Sequence, residues 1–176
     1  SEMCIRDSYK TSADIIGNVN YLYRDGAPDK MGNMTGAYRG SSLSVMNMVT
    51  GYFVNEYEGQ EVDCSYARQL TRQDFTQSCC NYLTNDTWKS CYKSINVANA
   101  VIKYVDGVEM DNQAQYKAEA RFFRALNYFY LVKMFGDVPM VTEPTEDATL
   151  VEYPTRTAAS EVFNTCLLYT SDAADD

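Results

Sequence analysis

Two apolar repeats of helical period, separated by a short polar link, constrain the fold of this chain more than any other feature. In both repeats, positions that are apolar with the exception of Asn99 recur at spacings of four, three, four and three residues, which predicts two amphipathic helices. Helices joined by so short a connection pack antiparallel as an αα-hairpin, the unit of helical repeat proteins. The repeated positions are Trp88, Tyr92, Ile95, Asn99 and Ile102 in the first helix, and Ala118, Phe122, Ala125, Phe129 and Val132 in the second.

The boundaries of this hairpin are also encoded locally. The first helix is predicted to end near Asp106-Gly107, and Asp111 is predicted to cap the second. Gly136 favours a left-handed turn that ends the second helix, and Pro139 restricts the residue before it to an extended conformation. The chain is therefore expected to leave the hairpin as a short strand-like segment, Val138 to Thr142.

The remaining segments are less regular. A capped helix is predicted from Lys10-Thr11 to about Gly26, followed by a glycine-rich loop and a second apolar helix from Leu43 to Val54. Asn55 to Gln77 has no sustained period and predicts a long surface loop, a kind of segment that often carries function. A further helix is expected from Ala158 to Phe163, with Thr157 as its cap.

Both ends of the chain differ in character from the middle. Met-Cys-Ile-Arg-Asp at residues 3–7 and Cys-Leu-Leu-Tyr-Thr-Ser at residues 166–171 can be encoded by opposite strands of one DNA segment. Such an inverted repeat resembles sequencing-adaptor DNA and has no basis in protein folding. Residues 1–8 and 166–176 are therefore interpreted as non-native translations, and residues 9–165 as the natural part of the chain.

Composition excludes several classes of function. The formal net charge is −9, which argues against nucleic-acid binding because phosphate contacts require clustered lysine and arginine. The chain contains no histidine, so the usual general base and the common nucleophile triads cannot be assembled. The cysteines between the two ends lack the spacing of a zinc site. We therefore expect no catalytic residue, no metal and no cofactor.

Three ordered motifs are similar to those of one family. Ala118 to Val141, with its aromatic helix and Gly-Asp-Val-Pro exit, resembles the hallmark segment of the SusD/RagB family of nutrient-binding outer-membrane lipoproteins. The segment from Trp88 to Asn99 resembles the preceding helix of that family, and Tyr153-Pro-Thr-Arg-Thr with Glu161-Val-Phe resembles the following helix start. The resemblance implies an all-α fold of tetratricopeptide-like αα-hairpins with long ligand-binding loops, here an incomplete SusD-like domain.

The resemblance also implies a function. Members of this family are surface-exposed outer-membrane lipoproteins of Bacteroidetes-type bacteria. They capture oligosaccharides or other nutrients for a partner TonB-dependent transporter. The membrane would be reached only through a lipid anchor that this fragment lacks. Arg121 and Arg124 in the hallmark helix are interpreted as scaffold residues that bind local carboxylate or backbone carbonyl partners.

The long loop supplies the candidate ligand-binding residues. A pyranose ring presents apolar C–H faces and many hydroxyls, so its site combines exposed aromatic rings with amides, guanidinium groups or carboxylates. The loop after the second helix, where the resemblance implies part of the ligand site, contains this mixture. The predicted ligand-binding residues are Asn55, Tyr57, Tyr66, Arg68, Gln69 and Asp74.

Two alternatives remain open. The αα-hairpin pattern alone would also suit a generic helical-repeat module that binds protein segments. A glycosidase would require a pair of carboxylates, which the acidic loop cluster of Glu56, Glu58, Glu61 and Asp63 could supply. A solvated acidic loop explains that cluster equally well, and the enzyme interpretation is the weaker one.

Overall fold

The computed structural model describes residues 9–23, 49–52, 71–73, 78–145 and 154–166. Its elements are helix α1 (Ser12–Tyr23), helix α2 (Ser78–Tyr104), a 3₁₀ turn (Val105–Gly107), helix α3 (Gln113–Phe135), strand β1 (Val138–Pro139) and strand β2 (Arg156–Thr157). Residues 159–166 are also helical and are called α4. The predicted all-α class is confirmed, because the strands are only two residues each.

The chain divides into two compact units. One consists of Ser1–Gly26 with Cys91–Asp176, and the other of Ala27–Ser90. The second unit is described at residues 49–52, at residues 71–73 and along the first part of α2. In the described part of the chain, no helix has the length and apolar character needed to cross a membrane.

Helices α2 and α3 form the predicted antiparallel hairpin. Near the connection, the Gln113 side chain donates to the carbonyl oxygen of Val105 at 3.3 Å. Further along, Arg124 on α3 bonds to Asn99 on α2, and the rings of Tyr128 and Tyr92 meet edge to face at 6.4 Å. The residue numbers on α3 therefore rise from pair to pair while those of the contacting residues on α2 and the 3₁₀ turn fall, so the two helices are antiparallel.

Helix α1 packs against α3 through one apolar face. Ile15, Val19 and Leu22, spaced by helical turns, are at most 1% exposed. At the end of α1, the ring of Tyr23 meets that of Phe123 edge to face at 4.7 Å. The predicted cap is confirmed as a capping box: the Thr11 hydroxyl accepts from the Asp14 N–H at 3.2 Å, and the Asp14 carboxylate accepts from the Thr11 N–H at 2.9 Å.

Three local predictions around the helices need correction. The N-cap of α3 is Asn112 rather than Asp111. It lies in the left-handed region at φ 61°, and its side chain forms no capping bond. The described part of the predicted helix Leu43–Val54, residues 49–52, is a turn and a bend. The predicted cap of α4, Thr157, lies in β2. At the start of α4, the N–H of Ala159 donates instead to the Asp137 carboxylate at 2.9 Å.

The buried face of α3 is rotated from the predicted stripe. Phe122 and Phe129 are 49% and 38% exposed, whereas Tyr128 and Leu131 are fully buried. The prediction followed the large aromatics and interpreted Arg124 as a scaffold residue. Arg124 and Asn127 are both buried: Arg124 Nη1 donates to the Asn99 side-chain oxygen at 2.9 Å, and the Asn127 amide donates to the Phe123 carbonyl at 2.8 Å.

A two-stranded antiparallel ribbon follows the hairpin. Val138 pairs with Thr157, and Pro139 pairs with Arg156. Gly136 permits this exit from α3, since its φ of 69° and ψ of −124° lie in a region that residues with a Cβ avoid. Helix α4 then extends to residue 166 and includes the buried Cys166, beyond the predicted end at Phe163.

Candidate functional site

The chain that leaves α3 is held against the hairpin by side chains rather than by backbone pairing. We call residues 138–145 the exit segment. Within a helix the backbone N–H and C=O groups bond to one another, so a segment that crosses helices must bond to their side chains. Tyr92, Asn96 and Asn99 from α2 and Arg124 and Tyr128 from α3 supply these bonds.

Asn99 is at the centre of this network. Its side-chain NH₂ donates to the carbonyl oxygens of Val141 at 3.0 Å and of Glu143 at 3.3 Å. Its side-chain oxygen accepts from Arg124 Nη1 at 2.9 Å, and the same nitrogen lies 3.5 Å from the carbonyl oxygen of Thr142. Asn99 and Arg124 are 1% and 4% exposed, so a buried cation reaches the exit segment both through this amide and through its own contact with Thr142.

Two tyrosines complete the network. The Tyr92 hydroxyl donates to the Pro139 carbonyl at 2.7 Å, and the Tyr128 hydroxyl donates to the Val141 carbonyl at 2.9 Å. Tyr128 also accepts from the Val141 N–H at 2.6 Å, so its hydroxyl satisfies both backbone groups of one residue. Burial, together with the nearby Tyr128, raises the pKa of Tyr92 well above its ordinary 10.0. Tyr92 therefore keeps the proton that it donates.

This arrangement positions the backbone of the exit segment. The Arg124 guanidinium bonds to neutral oxygens, and the Tyr128 hydroxyl is engaged both as donor and as acceptor. Over the ranges that the structure describes, no group of three or more cysteine or acidic residues could hold a metal ion. The predicted scaffold role of Arg124 is confirmed. Its bonds include those to the Asn99 side-chain oxygen and to the backbone carbonyl of Thr142.

The predicted ligand-binding residues, Asn55, Tyr57, Tyr66, Arg68, Gln69 and Asp74, lie outside the described residues, as does the acidic cluster of the glycosidase interpretation. The structure does describe residues 49–52, before the predicted loop, and residues 71–73 within it. The Gln73 amide donates to the Val49 carbonyl at 3.3 Å and joins residues that are far apart in the sequence. A residue before the predicted loop is therefore bonded to one near the end of that loop.

Tyr52, which lies in the turn just before the predicted loop, was missed by sequence reasoning. Its place in an apolar stretch predicted a helix position, yet its side chain is 89% exposed. The signal that could have revealed it is Gly51, which has a φ of 78° and interrupts that stretch immediately before the tyrosine. Trp88, predicted as a core residue of the first stripe, is half-buried.

A second exposed aromatic surface lies on α3 and α4. Phe129 and Phe163, which is 42% exposed, have ring centroids 6.4 Å apart. The Lys133 ammonium lies 5.2 Å from the centre of the Phe129 ring, within cation–π range.

Comparison with known families and proteins gives a consistent result. The model of the SusD-like_3 family, described as "Starch-binding associating with outer membrane", matches residues 28–175. SusD-like protein P25 of Formosa agariphila is 41% identical over 63 residues, which cover 34% of this chain and 12% of that protein. SusD-like protein P2 of the same organism is 24% identical over 157 residues, which cover 88% of this chain and 29% of that protein.

Solved structures agree on the fold. A SusD-like protein from Bacteroides fragilis superposes with a TM-score of 0.67 at 15% identity, over 96% of this chain and 30% of that one. A SusD superfamily protein from Bacteroides thetaiotaomicron gives a TM-score of 0.64 at 19% identity, over 96% of this chain and 36% of that one. The chain thus spans about a third or less of the length of these proteins.

Proposed function

Because this chain belongs to the SusD-like family of starch-binding proteins associated with the outer membrane, we propose that it is part of a protein that binds glycans for nutrient uptake. The match of the family model over residues 28–175 carries the proposal. The hairpin and its exit segment support it, because they contain the sequence motifs that resemble those of the family.

We further propose that binding occurs without catalysis and that the glycan is delivered to a TonB-dependent transporter. The lack of histidine throughout the sequence supports a binding role, since it removes the most common general base at neutral pH. The proposed location is the cell surface, where a lipid anchor would hold the whole protein in the outer membrane. The proposed ligand contacts are the loop residues Asn55, Tyr57, Tyr66, Arg68, Gln69 and Asp74.

Glycan binding can be tested directly on this chain. We expect the purified chain to bind at least one member of a panel containing soluble starch, maltoheptaose and oligosaccharides of other linkages, measured by isothermal titration calorimetry. Prolonged incubation with the bound glycan should release no shorter sugars in a chromatographic assay. The same titration of the whole protein that contains this chain decides the proposal: absence of binding across the panel would refute it, and sugar release would refute the noncatalytic one.

The transporter proposal requires a separate experiment. An affinity tag on the chain, expressed in a Bacteroidetes host, should co-purify an outer-membrane transporter after mild detergent extraction. The Arg124→Ala variant serves as a comparison. Its exit segment loses the bond at the Thr142 carbonyl, and its exposed residues are unchanged. Recovery of no barrel protein with either chain would contradict the delivery step and leave glycan binding standing.

A second candidate is the helical-repeat module that binds protein segments. The exposed rings of Phe122, Phe129 and Phe163 favour it, because apolar rings in water mark interaction surfaces. This candidate predicts that Phe129→Ser abolishes capture of a protein partner and leaves glycan binding unchanged. Glycan binding by the chain would show that the module is not its only role.

A further inference from the structure

Two exposed aromatic rings lie together where the end of α1 meets α3. Tyr23 on α1 and Phe122 on α3 are 53% and 49% exposed. The buried Phe123 contacts both of them, because its ring centroid lies 4.7 Å from that of Tyr23 and 5.4 Å from that of Phe122, edge to face in each case. One buried ring thus supports two exposed rings as a continuous surface.

Glu119 adds a carboxylate to this surface. It precedes Phe122 by three residues and Phe123 by four on α3, so these side chains are neighbours on the helix. Burial raises the pKa of Tyr23 above its ordinary 10.0, and the charge of Glu119 together with a hydrogen bond to that carboxylate raises the pKa further. The Tyr23 hydroxyl therefore lies beside Glu119. The exposed Gln115 amide also donates to this carboxylate, at 2.8 Å.

The charge of Glu119 is bonded to neutral groups. Within the described residues, its partners are the Gln115 amide and the Tyr23 hydroxyl. Lys117, the nearest lysine in the sequence, bonds instead to Asp106. A carboxylate beside exposed ring faces attracts an ammonium group, through its charge and through cation–π contact with the rings.

Another exposed ring on the same helix has the opposite environment. The Lys133 ammonium lies 5.2 Å from the centre of the Phe129 ring. A cation is therefore already in place there, and it would repel a second one. The surface at Phe129 serves as an internal comparison for the surface at Glu119.

The groups around Glu119 match an amino sugar whose amine is free. The C–H face of its pyranose ring can pack on an exposed aromatic ring, its ammonium can pair with the carboxylate, and the Gln115 amide can bond to a hydroxyl. We propose that Tyr23, Phe122 and Glu119 form a binding site for an amino sugar that carries a protonated amine. The ligand class rests on the proposed glycan-binding function, and the site uses different residues from the proposed loop contacts.

The test titrates the full chain with short oligosaccharides of equal length and linkage, by calorimetry at about pH 6, where glutamate is ionised. A chitosan oligosaccharide carries free amines, a chitin oligosaccharide carries acetylated amines, and a cello-oligosaccharide carries hydroxyls at the same positions. We expect the Kd for the chitosan oligosaccharide to be at least about tenfold lower than for the other two. Added salt should weaken the binding of the charged sugar alone.

Variants assign the binding to these residues. Glu119→Gln should raise the Kd for the chitosan oligosaccharide about fivefold, because it removes the charge and keeps the shape. Tyr23→Ala should raise it by a similar factor of about five, since a ring face is lost. Glu109→Gln removes the same charge from an exposed position in the link before α3, and Phe129→Ala removes an exposed ring beside a lysine. Both controls should stay within about twofold of the unchanged chain.

The outcomes separate this inference from the function on which its ligand class rests. Equal affinity for the three oligosaccharides would overturn it, because the amine would not be recognised. Equal losses in Glu119→Gln and Glu109→Gln would also overturn it, since net charge would explain the effect. Binding of another glycan but not of the chitosan oligosaccharide would overturn it and leave glycan binding intact. Absence of all glycan binding by the chain would overturn it as well, while the whole protein decides the proposed function. Circular dichroism spectra that match the unchanged chain establish that each variant is folded.

Discussion

Replacing Asn99 by alanine removes the amide that joins Arg124 to the exit segment. Three hydrogen bonds disappear: one from the buried guanidinium and two to the backbone carbonyls of Val141 and Glu143. Asn96, less than one helical turn earlier, is the natural control. Its side chain accepts a single bond, from the N–H of the exposed Thr145 at 2.8 Å.

The size of the effect follows from these contacts. A hydrogen bond to a charged group contributes about 1.5–3 kcal/mol, and each neutral bond contributes about 0.5–1.5 kcal/mol. Replacing asparagine by alanine inside a helix returns roughly 0.5 kcal/mol of propensity at either position. We therefore expect Asn99→Ala to lower the free energy of unfolding by about 3 kcal/mol and Asn96→Ala by less than about 1 kcal/mol.

Urea denaturation followed by far-ultraviolet circular dichroism measures this difference. With a urea dependence of about 2 kcal/mol per molar, Asn99→Ala should shift the midpoint down by roughly 1.5 M. Asn96→Ala should shift the midpoint by less than about 0.5 M. Equal shifts in the two variants would refute the central role of Asn99, since both lose the same atoms from one helix.

Three further predictions concern the ends of helices. Gly136→Ala should lower the free energy of unfolding by about 1–3 kcal/mol, because alanine is strained at a φ of 69°. Gly107→Ala, with equally open space and no positive φ, should change thermal stability little, and similar losses in both would contradict this reason. Asp14→Asn should lower the melting temperature at pH 7, because hydrogen bonds from the Thr11 hydroxyl and from the backbone N–H groups of Thr11 and Lys10 lower the pKa of this carboxyl below 3.8. The stabilisation from the ionised Asp14 is present above the ordinary pKa and is lost as pH falls through the pKa of the folded state. The melting temperatures of the two proteins should therefore converge in acid. Asp137→Ala should accelerate hydrogen exchange at the Ala159 amide, measured by NMR, and unchanged exchange would exclude this cap.

The burial of Tyr9 should likewise make the free energy of unfolding depend on pH in the alkaline range. Burial, with a smaller effect of Tyr104, raises the pKa of Tyr9 to about 12. In the unfolded chain Tyr9 ionises near its ordinary pKa of 10.0. Its contribution to the free energy of unfolding is therefore complete below pH 10.0 and is lost as pH rises towards about 12.

The sequence by itself determined the antiparallel hairpin, the start of α1 and the exit from α3 at Gly136. The helical spacing of Tyr92, Ile95 and Asn99, the capping box at Thr11 and the glycine at position 136 act within a few residues, so local patterns reveal them. These local features also supported the family assignment, because the family's motifs are largely the boundaries of these helices.

Tertiary structure alone decided which face of α3 is buried and where the exit segment is bonded. Sequence reasoning counted Phe122 and Phe129 as core because a phenyl ring gains more from burial than Arg124 does. The fold buries Arg124 instead, because Asn99 and the exit segment replace the water around its charge. These partners lie 25 and 18 residues away in sequence, so no local period could reveal them. The same reason hid the exposure of Tyr52, which lies in a turn that Gln73 bonds at Val49 from 24 residues away in the sequence.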